Sequence, residues 1–139
     1  MSANEIVRLS PPQAAELLED DPRAVLVDVR SRVEFEYVGH PIGAVHVAWK
    51  EFPEWQENAA FADEVGEQLT ASGDAAKDRP LVLICRSGVR SMHAARRLSE
   101  HGYTRLYNVD EGFEGDKDEE QHRGNVGGWR FHGLPWEQG

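Results

Sequence analysis

The most informative run of the sequence is Leu81-Val82-Leu83-Ile84-Cys85-Arg86-Ser87-Gly88-Val89-Arg90-Ser91. Its first four residues are continuously apolar, which is typical of a strand buried on both faces of a parallel sheet. A short turn containing Gly88 follows, and then apolar residues recur at three-residue intervals from Val89 to Leu98, as in an amphipathic helix. The run therefore predicts a strand, a tight loop and a helix in direct succession.

The loop begins with Cys85, the single cysteine of the chain. A strand-loop-helix turn directs backbone N–H groups and the positive end of a helix dipole toward one point, and Arg86 and Arg90 add positive charge there. Such surroundings stabilise a thiolate, which is the nucleophilic form of cysteine. The alternative is that Cys85 is an inert core residue that ends a strand. We favour the nucleophile, because an inert thiol needs neither the arginines nor Gly88 around it.

Residues 85–91 resemble the active-site loop of rhodanese-type sulfurtransferases, in which a cysteine heads the loop. Four residues separate Cys85 from Arg90, whereas the cysteine-dependent phosphatases that share this fold have one residue more. The resemblance implies that the shorter loop forms a cradle for sulfur and the longer one a cradle for phosphate. The spacing therefore favours sulfur chemistry.

Further segments resemble the upstream and C-terminal signatures of rhodanese domains. They are Asp28-Val29-Arg30, Glu34-Phe35, Gly39-His40-Pro41-Ile42-Gly43-Ala44 (with Pro41 and Ile42 exchanged relative to the usual order), Gly128-Trp129 and Gly133-Leu134-Pro135. Gly112 matches the first part of the C-terminal signature, and residues 114–123 look inserted between it and Gly128-Trp129. We predict that this acidic segment forms a lip over the site or a loop that docks a partner.

Asp28 and Arg30 are predicted to support the site structurally. Asp28 would cap N–H groups at the end of a strand, and Arg30 would pair with a neighbouring acid such as Glu34. A role as general acid and base is the alternative, but nucleophilic sulfur transfer does not require one. His40 and His46 are too isolated to suggest a metal site, and we expect His40 to fix a turn by hydrogen bonding.

Strands that alternate with helices, with no sign of hairpins, predict an α/β sandwich with a parallel sheet. The resemblance implies a three-layer α/β/α sandwich around a central, mostly parallel five-stranded sheet, and we predict a single domain over residues 1–139. Ser10-Pro11-Pro12-Gln13 has the form of a helix capping box. The aromatic residues Trp49, Phe52 and Trp55 could line a wall beside the site, but we favour a place in the core.

The composition narrows the classes of partner. A net charge of −10 argues against nucleic acid and anionic membranes. No apolar run approaches the length of a membrane span, and the first residues lack the features of a secretory signal, so we predict a cytoplasmic location. A single cysteine excludes an internal disulfide and a cysteine-rich zinc site, and we expect no metal and no cofactor.

These features lead to the hypothesis of a sulfurtransferase that works by double displacement. The Cys85 thiolate would take a sulfur atom from a small anionic donor such as thiosulfate, and cyanide or a thiol, free or on a protein, would accept it. Arg86 and Arg90 would bind the donor, while Ser87, Gly88, Val89 and Ser91 would contribute mainly backbone N–H groups. The alternatives are a persulfide carrier or redox-sensing interaction module and, less favoured, a phosphatase or arsenate reductase.

Overall fold

The computed structural model describes residues 5–139 of the chain. In chain order its elements are β1 (Ile6–Leu9), α1 (Pro11–Asp20), β2 (Val25–Asp28), a π-helical turn (Glu34–Val38), β3 (His40–Pro41), β4 (Val45–His46), β5 (Lys50–Glu51), β6 (Gln56–Glu57), α2 (Phe61–Ala71), β7 (Leu81–Ile84), α3 (Val89–Glu100), β8 (Leu106–Val109) and β9 (Trp136–Glu137).

Five of the strands form a parallel sheet in the order β1-β8-β7-β2-β4. The central strand is β7, which pairs with β2 through Val25↔Leu81 and with β8 through Leu81↔Leu106. The predicted parallel five-stranded sheet is confirmed. In a sheet of this kind ligands lie beyond the carboxyl ends of the strands, and the central strand delivers Cys85 to that edge.

Helices and loops cover both faces of the sheet, which gives the predicted three layers. One core contains Val27, Leu83 and Cys85 together with residues of α2 and α3 such as Phe61 and Leu98. The other core lies on the opposite face, where apolar residues of the strands pack with α1 and with the C-terminal segment. Its buried members are Ala14, Leu26, Val82, Ile84, Val109, Phe113 and Trp129. The alternating sides of the strand residues explain why both faces of β2 and β7 are apolar.

The predicted capping box at the start of α1 is confirmed. The backbone N–H of Gln13 donates to the Ser10 hydroxyl oxygen at 3.3 Å, and the backbone N–H of Ser10 donates to the Gln13 side chain at 2.9 Å. Two N–H groups near the helix start are thereby satisfied, which fixes where α1 begins.

The expectation that the chain contains no hairpins is wrong. The strands β5 and β6 pair antiparallel, with Lys50 opposite Glu57, and β3 pairs antiparallel with β9. Each of these strands has two residues, which is too short for an alternating pattern to be visible in the sequence. The β5–β6 hairpin lies outside the central sheet and becomes important at the site.

The hairpin also corrects the prediction for the aromatic residues. Trp49, just before β5, is buried in the core as expected. Phe52 and Trp55 lie at the tip of the hairpin and are exposed, with their rings in edge contact at 5.8 Å. The prediction of a core position is therefore wrong for these two residues, because the hairpin carries them away from the sheet.

Among the helices that the structure describes, none has the length and apolar character needed to span a membrane.

Candidate active site

The side chain of Cys85 lies at the start of a loop that folds back around its sulfur. The backbone N–H of Gly88 donates to Sγ at 3.1 Å, and the Ser91 hydroxyl lies 3.3 Å from the same atom. Cys85 is only 1% exposed, yet it is one of the residues that line a cavity. The sulfur has polar contacts with its own loop.

Gly88 is the residue that allows the loop to turn this tightly. Its φ angle of +103° lies in the left-handed region, which strains any residue with a side chain. A Cβ atom at this position would also lie 2.1 Å from the carbonyl oxygen of Asp110, far closer than atoms can approach. Glycine is thus required by both conformation and space, and it aims its N–H at the sulfur.

Asn108, on the neighbouring strand β8, holds the loop in place and was not anticipated from the sequence. Its side-chain amide donates to the Gly88 carbonyl and to the Asp110 carboxylate, each at 3.1 Å, while its oxygen accepts a short hydrogen bond from the Ser91 hydroxyl. Because Ser91 has one hydroxyl proton, Sγ and the Asn108 oxygen compete for it. The sequence contains one signal that could have pointed to Asn108: it is a polar residue within the otherwise largely apolar strand 106–109.

An open cavity of about 350 Å³ lies beside the sulfur. It is lined by Lys50, Trp55, Cys85, Arg86, Ser87, Val89 and Arg90. The structure therefore brings four of the six predicted loop residues to the cavity, while Gly88 and Ser91 are buried behind it and contact the sulfur. Lys50 and Trp55 come from the β5–β6 hairpin. Lys50 was not predicted as a site residue, and Trp55 was named only in the less favoured alternative of an aromatic wall.

Val89 lies on the exposed side of α3 although its spacing placed it in the apolar stripe of that helix. It is 65% exposed at the cavity, whereas the packed face of α3 consists of Ser91, Ala94, Ala95 and Leu98. Val89 is the first residue of the helix, so it precedes the turn that contacts the sheet.

Arg90 points its guanidinium group at Glu34 and forms two hydrogen bonds with the carboxylate, at 2.7 and 2.8 Å. Both side chains are largely buried. Burial alone would raise the pKa of Glu34, but the hydrogen bonds and charge of Arg90 outweigh it and lower the pKa to about 2. Burial acts to lower the pKa of Arg90, and the Glu34 carboxylate offsets this and raises it. The pair ties the π-helical turn to the start of α3.

This pair predicts a specific loss of stability in acid. The pKa of Glu34 falls from an ordinary 4.5 to about 2 in the folded protein, so its contribution is present above pH 4.5 and is lost as the pH falls toward 2. Glu34→Gln should remove about 1–3 kcal/mol of stability at pH 7 and much less near pH 2. Urea unfolding at the two pH values measures this, with Glu36→Gln, at a partly exposed position of the same turn, as control. An equal loss at both pH values would contradict the assignment.

Arg30 pairs with a neighbouring acid as predicted, but its partner is not Glu34, the example named. Its guanidinium group instead binds Asp28, with the shortest contact at 2.7 Å, and also donates to the carbonyl oxygen of Gly39 at 2.6 Å. It lies over the ring of Phe113, 4.5 Å from the ring centroid. The prediction of Glu34 failed because its carboxylate is already occupied by Arg90, a partner that lies 56 residues away in the sequence.

Asp28 makes the kind of contact that a structural role requires. Its carboxylate accepts the backbone N–H of Arg30 at 3.0 Å, and both side chains are completely buried. Neither residue lines the cavity at Cys85. The pair therefore fixes the chain that leaves β2 rather than contacting a substrate.

Two further predictions concern the surroundings of the site. His40 fixes a turn as expected: its ring contacts the carbonyl oxygen of Phe35 at 2.9 Å and stacks on the Phe35 ring at 3.8 Å. Residues 114–123 do not line the cavity, so the prediction of a lip is wrong. The segment starts where the N–H groups of Glu114 and Gly115 donate to the carbonyl oxygen of Arg86, at 3.0 and 3.2 Å. Its role as a docking loop stays a prediction.

Fold and site together define a parallel α/β domain that presents a cysteine in a tight loop at the carboxyl edge of its sheet, with one backbone N–H and one hydroxyl at the sulfur. The sequence profile of the rhodanese-like domain matches residues 10–119. The chain belongs to this family, and the predicted resemblance is confirmed.

Individual relatives agree with this assignment. The chain is 33% identical over 115 residues to the thiosulfate sulfurtransferase GlpE of Haemophilus influenzae (strain PittEE), with 83% of this chain and 89% of the relative covered. The crystal structure of Rv0390 from M. tuberculosis has 42% identity and a TM-score of 0.84, covering 98% of this chain and 100% of that one. A polysulfide-sulfur transferase homodimer from Wolinella succinogenes has 25% identity and a TM-score of 0.60, covering 96% and 80%.

Proposed function

We propose that this protein is a sulfurtransferase that moves a sulfane sulfur from an anionic donor such as thiosulfate to cyanide or a thiol through a persulfide on Cys85. The observation that carries the proposal is the hydrogen bond from the Gly88 N–H to Sγ, in a loop whose sulfur borders an open cavity. A backbone N–H that donates a hydrogen bond to this sulfur stabilises negative charge on it. The hydrogen bond therefore favours both the thiolate and the persulfide anion that forms from it.

The reaction has two displacements. The Cys85 thiolate attacks the outer sulfur of thiosulfate, the S–S bond of the donor breaks, and sulfite leaves with the electron pair. The new S–S bond joins Cys85 Sγ to the outer sulfur of thiosulfate. The product is a Cys85 persulfide whose terminal sulfur is negatively charged. Cyanide or a thiolate then attacks that terminal sulfur, and the departing Cys85 thiolate is regenerated. No net oxidation or reduction of the protein occurs.

The names of the relatives support thiosulfate as the sulfur donor. The cysteine content of the sequence supports transfer of the sulfur to a separate molecule. A relative that is 33% identical carries the name thiosulfate sulfurtransferase. Because the chain has one cysteine, no second thiol of the same chain can resolve the persulfide. The acceptor is therefore a separate molecule, either a small thiol or a thiol on a protein. A reducing cytoplasm suits this chemistry, because it keeps Cys85 available as a thiol.

The test is steady-state formation of thiocyanate from thiosulfate and cyanide, run beside hydrolysis of p-nitrophenyl phosphate by the same preparation. We expect many thiocyanate molecules per chain and no phosphate release above the buffer rate. Formation of a single thiocyanate per chain would indicate a carrier that is loaded once. Phosphate ester hydrolysis faster than sulfur transfer would instead favour the phosphatase alternative.

A further inference from the structure

The cavity beside Cys85 is lined by three cationic side chains, those of Lys50, Arg86 and Arg90. They are not equivalent, because the charge of Arg90 is compensated. Two of its guanidinium nitrogens bind the two carboxylate oxygens of Glu34 at 2.7 and 2.8 Å. A bidentate pair of this kind is strong and directional, so Arg90 has little charge left to attract an anion in the cavity. The uncompensated positive charge comes from Lys50 and Arg86.

Lys50 is available because the acids on the two strands of its hairpin, Glu51 and Glu57, bond to other groups. Glu57, its partner across the β5–β6 hairpin, binds Arg97 at 3.0 Å. Glu51, the next residue, accepts backbone N–H groups of Arg32 and Phe52 at 2.8 and 3.2 Å. Within residues 5–139 the ammonium group of Lys50 has no ion pair.

The hairpin that carries Lys50 is fastened to α3 at one of its strands and at its tip. On β6, Glu57 binds Arg97. At the tip, the ring of Trp55 lies 5.4 Å from the guanidinium carbon of Arg90, a cation–π contact. Because α3 also begins with the loop of Cys85, these contacts fix the position of the hairpin relative to the sulfur. Lys50 is thereby held at the wall of the cavity.

We propose that Lys50 is the specificity-determining cation that draws anionic sulfur donors to Cys85, together with Arg86, and that Arg90 is a positioning residue held by Glu34. The inference rests on the proposed function and revises the donor-binding role first assigned to Arg90. The sequence places Lys50 in no recognisable motif, and only the hairpin brings it to the cavity.

The first test measures steady-state kinetics with thiosulfate. Lys50→Gln should raise the KM for thiosulfate about tenfold with kcat changed less than about twofold, because a charge-assisted contact to the donor is lost while the nucleophile is untouched. Lys117→Gln is the matched control: it changes the net charge equally, lies outside the cavity lining and should leave KM unchanged. A KM unchanged in Lys50→Gln would overturn the proposal.

The second test does not depend on turnover. Cys85 is alkylated with anionic iodoacetate and with neutral iodoacetamide, and the ratio of the two rates reports the positive charge at the sulfur. Lys50→Gln should lower this ratio about threefold, and Lys117→Gln should not change it. An unchanged ratio in Lys50→Gln would overturn the role of Lys50 even in an active enzyme. A lowered ratio in a protein that forms no thiocyanate would support the cation site while the proposed sulfur transfer fails.

Discussion

Replacing Cys85 with serine is expected to abolish thiocyanate formation, with a loss of at least about 10³-fold in kcat/KM. A serine hydroxyl is not ionised near neutral pH and cannot form a persulfide, so both displacements fail. The change is nearly isosteric, and a serine hydroxyl at this edge of the core still has the Gly88 N–H and the Ser91 hydroxyl as polar partners. We therefore expect the thermal unfolding temperature to stay within a few degrees of that of the parent protein. Thiocyanate formation and a thermal scan of the same preparation measure both effects.

The matched control for this experiment is His93→Ala. His93 lies on the exposed side of α3 and is the nearest histidine in sequence to the loop, so it is the residue that a base-dependent mechanism would invoke. A thiolate stabilised by amides and guanidinium charge needs no such base, and activity should be unchanged. Retained turnover in Cys85→Ser would falsify the assignment of the nucleophile, and a large loss in His93→Ala would show that a base had been overlooked.

The largest expected effect on stability comes from Arg30→Ala. Arg30 and Asp28 are both completely buried and bind each other at 2.7 Å, so removing the guanidinium group leaves an unpaired carboxylate in the core. Breaking a buried pair in this way costs about 3–5 kcal/mol of the free energy of unfolding. The lost contacts to Gly39 and Phe113 add to the effect. Urea unfolding at neutral pH measures the loss.

Two variants make this stability prediction sharp. Arg32→Ala removes an exposed arginine whose contact with Glu36 is 3.4 Å long, and it should cost less than about 1 kcal/mol. The double variant Asp28→Asn with Arg30→Met removes both charges and should recover part of the stability lost in Arg30→Ala. A loss in Arg30→Ala no larger than that in Arg32→Ala would contradict a buried, paired charge. So would a double variant less stable than the single one.

The fold could be predicted to the extent that its signals are local. The apolar runs at β2 and β7 and the capping box before α1 each identify their element within a few residues. The two-residue strands β4, β5 and β6 have no such signal, because they are too short to show an alternating pattern. The hairpin and its exposed aromatic rings were missed for this reason.

In the candidate site, too, the features with a local sequence signal could be predicted and the others could not. The loop from Cys85 to Ser91 is contiguous, so its chemistry could be inferred from residue types and spacing. The partner of Arg90 could not be inferred, since Glu34 lies 56 residues away and Arg30 is a nearer candidate for the Glu34 carboxylate. Lys50 and Asn108 reach the site from a hairpin and from a neighbouring strand. Neither lies in a motif, and only the topology brings them to the sulfur.

The whole account depends on the ability of Cys85 to hold one additional sulfur atom. The intact mass of the protein, measured before and after incubation with thiosulfate and removal of excess reagent, tests this directly. We expect an increase by the mass of one sulfur atom, located on the peptide that contains Cys85, absent from Cys85→Ser and removed by cyanide. An unchanged mass in a protein whose Cys85 is still alkylated by iodoacetamide would contradict the persulfide mechanism.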